Sequence, residues 1–185
     1  MVAPRTACGW IGVTTWIATC LLAWSDSSRG EAFRLESVGV RGGFSANESG
    51  RQFNEAQAFM NWSLPWSWDL GKEWHLDPRL DLSLGWLGDN SHDAVIGSVG
   101  PSLALGRERL PLVLEGGISP TFLSRDRFGT KDFDSSVQFT THVGLRWDFA
   151  RHWSVGYRFE HMSNAGLAAH NPGLNMHIFG ASYRF

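Results

Sequence analysis

Apolar and polar residues alternate one by one along most of this chain, and the alternation keeps a constant sign within each stretch. In Glu73–Trp86, Leu76, Leu80, Leu82, Leu84 and Trp86 share one parity, while Asp77, Arg79, Asp81 and Ser83 share the other. In Leu110–Phe122, Leu110, Leu112, Leu114 and Ile118 oppose Glu115 and Ser119. A period of two is the signature of a β-strand, whose side chains point to opposite faces in turn. Eight such segments are legible: Leu35–Phe44, Phe53–Leu64, Glu73–Trp86, Ala94–Leu105, Leu110–Phe122, Asp134–Phe149, Trp153–Ser163 and Leu174–Phe185. Downstream of the N-terminal region no run holds a period of 3.6 over three turns, so no helix is predicted there.

The polar parity carries charges of both signs together with glycines. A soluble sandwich would bury the apolar face and wet the polar one. Charges of both signs on one face suit a narrow lumen in which they pair, with the apolar face turned to lipid. The predicted fold is therefore all-β: an eight-stranded antiparallel transmembrane β-barrel over residues 33–185. Trp62, Trp86, Trp147, Trp153 and Tyr183 fall close to segment ends, where interfacial girdles are expected. From the middle of the chain onward, connections alternate long and short: LGDNSHD, GRER, SRDRFGTKDFD, ARH and NAGLAAHNPG. Outer-membrane barrels have long external loops and short periplasmic turns, and an even strand number places both ends of the barrel on the periplasmic side. The connection around Pro65–Lys72 fits this rhythm less well. The chain ends in Tyr183-Arg184-Phe185, an aromatic terminus like the assembly signal of bacterial outer-membrane proteins.

Composition agrees with this reading. The chain has 185 residues, enough for one ordinary domain, and a net charge of −2, which leaves no basic footprint for nucleic acid. Ten Trp and 21 Gly suit a membrane barrel, and a mean hydropathy of −0.18 excludes a helical membrane bundle. The N-terminal run Trp10–Trp24 is apolar and uncharged, preceded by Arg5 and followed by polar SDSSRGEA. It is too short for a comfortable transmembrane helix and fits a secretory signal over residues 1–32, cleaved after Ala32. A lipoprotein signal at Cys20 is disfavoured by Thr19, which stands where a smaller residue is expected. Both cysteines, Cys8 and Cys20, lie in this segment. The mature chain then has neither a disulfide framework nor a thiolate metal site.

One stretch breaks the pattern. In Tyr157–Asn175, YRFEHMSNAGLAAHNPGLN, the parity of Tyr157 and Phe159 continues into His161 and Ser163. A base and a hydroxyl thus stand on the lipid side, at the external end of an outward-running strand. Positions i and i+2 are roughly 6.5–7 Å apart at Cα, a gap two side chains can close. Serine is a weak nucleophile until an adjacent base takes its proton, so a His–Ser pair on this wall points to acyl-ester chemistry on a molecule of the bilayer. Polar residues where a strand emerges among headgroups are the alternative explanation. The seven His show no HExxH or HxxEH spacing, so neither a metal nor another cofactor is predicted. His142 and His152 read as lumen residues, His92 and His170 as loop residues. LGDNSHD lacks the pattern of a calcium loop.

The run Tyr157–Leu167 followed by Asn171-Pro172-Gly173 resembles the signature of the lipid A 3-O-deacylase family, over about the last 30 residues. The resemblance implies an eight-stranded outer-membrane barrel that hydrolyses the ester-linked acyl chain at position 3 of a lipid A glucosamine. It makes His161 the general base and Ser163 the nucleophile, and puts Asn164 and Asn171 where the oxyanion is held. The Pro-Gly pair is expected to turn the loop back over the site, with glycine at positive φ. The family's third catalytic member is an acid, and Asn175 stands in its place. Three arrangements are open: Asn175 orients the imidazole as a neutral acceptor, a carboxylate from Asp132 or Asp134 stands in, or the chain is slow or inactive. Glu160 is discounted because it points to the lumen. The partners implied are lipid A or lipopolysaccharide as substrate and the outer membrane, with a second copy of the chain as a candidate for a homodimer. A catalytically inactive barrel that anchors or adheres through its loops is the alternative function. An outer-membrane acyltransferase is a third reading, which an empty apolar lumen would favour.

Overall fold

The computed structural model describes residues 33–46 and 51–185; the expected signal segment, residues 1–32, lies outside the described residues. Among the described residues eleven strands are present: β1 Arg34–Ser45, β2 Asn54–Ser63, β3 Trp68–Gly71, β4 Trp74–Gly88, β5 Asp93–Arg107, β6 Leu110–Leu123, β7 Arg127–Phe128, β8 Lys131–Asp132, β9 Val137–Trp147, β10 Trp153–Ser163 and β11 Leu174–Arg184. Eight of them pair antiparallel in the order β1-β2-β4-β5-β6-β9-β10-β11, and β11 pairs back onto β1 from Ser37↔Arg184 to Ser45↔Met176. That last ladder closes the barrel, which leaves no strand edge for lipid to strip of hydrogen bonds.

The eight predicted strands are all found, with two additions. Strand β3 folds back on β4 within the untidy second connection, with Lys72 and Glu73 both at positive φ in its two-residue turn. Strands β7 and β8 form a small hairpin inside the long loop between β6 and β9, which begins three residues later than expected, at Val137. The stretch LGDNSHD, expected to be a long loop, is shorter than that: its ends belong to strands, and only residues 89–92 separate β4 from β5. Asp89 explains its compactness. Its carboxylate accepts from the N–H groups of Ser91 and His92, 2.7 Å each, and pairs with Arg51. Although the carboxylate is desolvated, these bonds hold its pKa down at about 2. Its oxygens are therefore committed within the protein.

The outward face is apolar, as the alternation requires: Val40, Leu82, Leu84, Leu112, Leu114, Ile118, Val143, Leu145 and Phe179 are all exposed. Trp147, Trp153 and Phe149 ring the turn end, and Trp86 lies at the loop end. The lumen has three storeys. At the turn end, Arg79 donates to Glu36 at 2.5 Å and to Glu115 at 2.6 Å, Arg146 to Glu115 at 2.7 Å and Asp148 at 3.0 Å, and Arg184 to Asp148 at 2.8 Å. Glu36 joins this ring because a register irregularity between Leu35 and Ser37 re-aims it inward. The middle storey holds Arg41, Asp81, His142 and the Arg158–Glu160 ion pair, with hydroxyl pairs Ser83–Ser98 and Thr121–Thr140 at 2.7 and 2.8 Å. The cavity left among Arg41, Arg79, Asp81, His142 and Arg158 is about 60 Å³.

The loop end departs from the expectation of a charged lumen. There Leu87, Ile96, Leu123, Met162, Leu174, Met176 and Ile178 turn inward and pack under Phe53, Phe128 and Phe133, all at most 3% exposed. The three rings meet edge to face, with centroids 5.3 to 6.2 Å apart. The lumen is thus apolar at this end but filled, so the empty apolar lumen that would favour an acyltransferase is not found. This stopper anchors the loops that carry the site described next.

Removing one partner of a buried ion pair leaves the other charge uncompensated, at a cost of about 3–5 kcal/mol. Arg79→Met should therefore lower the temperature at which the SDS-resistant folded band is lost. Leu114→Met on the lipid face should leave it unchanged. Equal transition temperatures for Arg79→Met and wild type would show that the turn-end charge network does not support the barrel.

Candidate active site

Strand β10 carries the parity break to its end. Its ladder with β11 sets His161 directly opposite Asn175, and its ladder with β9 sets His161 opposite Thr141 and Ser163 opposite Phe139. Because neighbours on this face alternate with the inward Glu160 and Met162, both only 3–4% exposed, His161 and Ser163 lie on the outer wall at the loop end. Two strands meeting in register thus bring residues 14 apart in the chain into contact: His161 Nδ1 lies 2.8 Å from Asn175 Oδ1. With the amide oxygen turned to the ring, Nδ1 carries the proton and Nε2 is left with its lone pair. That is the tautomer a general base needs. Ser163, half-buried, shares the wall two residues further out.

Neither alternative carboxylate reaches the imidazole. Asp132 accepts from Arg127 Nε at 2.8 Å and from the Asp134 N–H at 2.9 Å, bonds that lower its pKa. Asp134 accepts from the His170 N–H at 3.0 Å. Glu160 lies in the lumen, paired with Arg158. The residue that does reach the imidazole is Asn175.

The loop after β10 begins with a tight reversal. Ala165 and Gly166 both have positive φ, 54° and 77°, and Leu167 N–H returns to Asn164 O at 3.0 Å. Two consecutive positive φ values match a type I′ turn, which favours small and permissive residues. Asn164 itself is fully buried. Its Nδ2 donates to His170 O at 2.6 Å and to Phe133 O at 3.2 Å, and its Oδ1 accepts from Gly166 N–H at 2.9 Å. Its side chain is spent on holding the loop to the stopper, and so is not aimed at the wall. Asn171 is exposed, and its Oδ1 accepts from Asn164 N–H at 3.0 Å. Only the oxygen can accept from an N–H, so that bond fixes the amide orientation and leaves Nδ2 as a donor without a protein partner among the described residues.

The Asn-Pro-Gly turn forms differently from the expectation. Gly173 N–H returns to Asn171 O at 3.1 Å, a three-residue turn centred on Pro172, and Gly173 is not at positive φ. The glycine answers to space instead. A Cβ there would lie 2.7 Å from His161 Cε1 and 3.3 Å from Met162 O, so the Cε1 side of the imidazole abuts a bare backbone. Lys131 donates to the carbonyl of this same residue at 2.8 Å. Sequence reasoning did not single out Lys131 or assign Gly173 this role, since neither follows from spacing within one strand.

Below the pair, the wall is aromatic. Tyr157 OH lies 2.9 Å from His177 Nδ1, and His177 packs against Phe44, Phe159 and Tyr157 with centroids 5.5 to 6.0 Å apart. The arrangement offers a base, a hydroxyl and an amide donor at the rim of an apolar wall, where an ester between a headgroup and an acyl chain would lie.

Comparison with known proteins agrees with this geometry. The family described as Lipid A 3-O-deacylase (PagL) matches residues 55–184. Lipid A deacylase PagL of Pseudomonas aeruginosa is 30% identical over 151 residues, 76% of this chain and 87% of that protein. The Bordetella bronchiseptica protein of the same name is 29% identical over 140 residues, 68% of this chain and 74% of that protein. Among solved structures, that of the outer membrane enzyme PagL superposes with a TM-score of 0.68 at 22% identity, covering 79% of this chain and 97% of that one. Since the family match spans most of the barrel and includes the strands that carry His161, Ser163 and Asn175, this chain belongs to the lipid A 3-O-deacylase family.

Proposed function

We propose that this outer-membrane barrel hydrolyses the ester-linked 3-O acyl chain of lipid A in the outer leaflet, with Ser163 as nucleophile and His161 as general base. The observation that carries the reading is the His161–Asn175 bond beside Ser163, on the lipid-facing wall at the loop end. Membership of an acyl-ester hydrolase family supports it.

Nε2 of His161 takes the proton of the Ser163 hydroxyl as Oγ attacks the ester carbonyl carbon. The carbonyl oxygen becomes an oxyanion, and a donor aimed at it lowers the barrier. Asn171 Nδ2 is the side-chain donor left available, so it takes this role. Asn164 acts behind it: its backbone N–H orients the Asn171 amide, and its buried side chain fixes the loop. Collapse of the intermediate expels the glucosamine oxygen, which takes the proton from His161. A water, deprotonated by His161 in turn, then attacks the acyl-serine and releases the fatty acid. The bilayer presents the substrate, so a shallow site on the wall is enough.

Asn175 stabilises the right tautomer and holds the ring, as a neutral acceptor does in Cys–His–Asn proteases. It supplies no negative charge to the imidazolium that forms at each proton transfer. The chain therefore has one source of transition-state stabilisation fewer than a Ser–His–acid site.

Mass spectrometry of lipid A incubated with the purified barrel tests the assignment. Ser163→Ala should abolish release of the 3-O acyl chain, and His161→Asn should reduce it by about 10²–10⁴-fold, with the barrel still folded. Full activity of Ser163→Ala would overturn the nucleophile assignment, and an inert wild-type protein would favour the inactive-relative reading.

A second series addresses Asn175. Loss of one neutral hydrogen bond is worth about 0.5–1.5 kcal/mol, so Asn175→Ala should slow turnover by up to roughly tenfold. Asn175→Glu should match or exceed wild type, because it restores charge beside Nδ1. A glutamate variant slower than the alanine one would show that the site is built for a neutral partner.

A further inference from the structure

We propose that Lys131, in the β7–β8 hairpin of the long loop, is a positioning residue for the catalytic imidazole and acts through Gly173. The proposal rests on His161 being the general base. Its first link is the bond from Lys131 Nζ to Gly173 O, 2.8 Å. The ammonium stands 5.6 Å from the ring centroid of Phe133 and 6.0 Å from that of Phe53, both rings of the buried stopper. Cation–π attraction of this kind ties the ammonium to the barrel interior, so the packed end of the lumen helps to set the place of Lys131. The second link is steric. The Gly173 backbone lies so close to the imidazole that a Cβ would sit 2.7 Å from Cε1 and 3.4 Å from Nε2.

The imidazole is therefore held from two sides. Asn175 Oδ1 takes the Nδ1 edge, 2.8 Å away, and the Gly173 backbone backs the Cε1–Nε2 edge. A neutral amide is a weaker tether than the carboxylate usual at this position, because charge-assisted hydrogen bonds are roughly twice as strong. More of the aim of Nε2 toward Ser163 then falls to the wall behind it. That wall is the first residue before β11, at the end of a loop, and Lys131 is what pins its carbonyl to a rigid part of the molecule. Two further ties from the same long loop, Phe133 O to Asn164 Nδ2 and Asp134 Oδ2 to His170 N–H, hold the rest of the segment but do not reach the ring.

The test is a double-mutant cycle on the deacylation of purified lipid A, with the SDS-resistant folded band checked for each variant. Since a misplacement of about 1 Å can cost 10²-fold, Lys131→Met should lower kcat roughly tenfold while KM stays within about twofold. Lys131→Arg, which keeps a donor and a cation, should recover part of the loss. Gly173→Ala should also lower kcat, because its methyl displaces the ring. The double variant should be no slower than Gly173→Ala alone, since a displaced ring leaves the lysine nothing to position. Additive losses would overturn the proposal, as would a raised KM at unchanged kcat, which would make Lys131 a substrate contact. If Lys131→Met fails to fold, the cycle is run with Lys131→Gln and read by the same criteria. The two readings fail separately. Activity in Ser163→Ala sinks the mechanism itself, whereas an inert Ser163→Ala beside a wild-type kcat in Lys131→Met sinks only this inference.

Discussion

Hydrocarbon offers no hydrogen bond to a peptide group, and that constraint organises the molecule. Every outward-facing segment must satisfy its own backbone, and strands can do so only if the sheet closes. The β1–β11 ladder performs the closure. The same last strand pairs on its other side with β10, and that ladder sets Asn175 opposite His161. The strand that completes the barrel thus also carries the partner of the imidazole.

Eight strands enclose too little space for a channel, so the interior must be filled at every level. The chain uses two fillings. Toward the turn end, paired guanidinium and carboxylate groups satisfy each other, which buried charge requires. Toward the loop end, aliphatic side chains and three phenylalanine rings take over. The change of filling has a functional sense. A close-packed apolar plug resists deformation, and it sits directly behind the wall that carries the site. Loops that would otherwise move are fastened to it, Asn164 through Phe133 O and Lys131 over the rings.

The candidate site lies on an outer wall, where the bilayer and its headgroups would surround it. Orientation must then come from short connections: a cross-strand pair, a reversal through Ala165 and Gly166, and a three-residue turn at Pro172. Asn175 in place of an acid makes that orientation more demanding, since the charge that would otherwise help align the imidazole is missing.

Much of this was legible in the amino-acid order because the decisive physics is local. A period of two assigns each residue to lipid or lumen, so the eight strands, their faces, and the outward placement of His161, Ser163 and Asn175 follow from counting. The chemistry expected at Ser163 came instead from the resemblance of its surrounding motif to a known family. Counting fails where two segments distant in the chain compete for one space. Nothing in the spacing says that Asn164, one residue past the strand, turns its amide into the core instead of toward a substrate. The order of residues likewise does not show that Gly173 is required by the imidazole lying on it, that Glu36 is re-aimed by a bulge, or that Phe53, Phe128 and Phe133 from two different loops meet over the lumen. These are decided by closure and packing. Burial is a property of what surrounds a residue in space, and only the tertiary structure sets which distant residues those are.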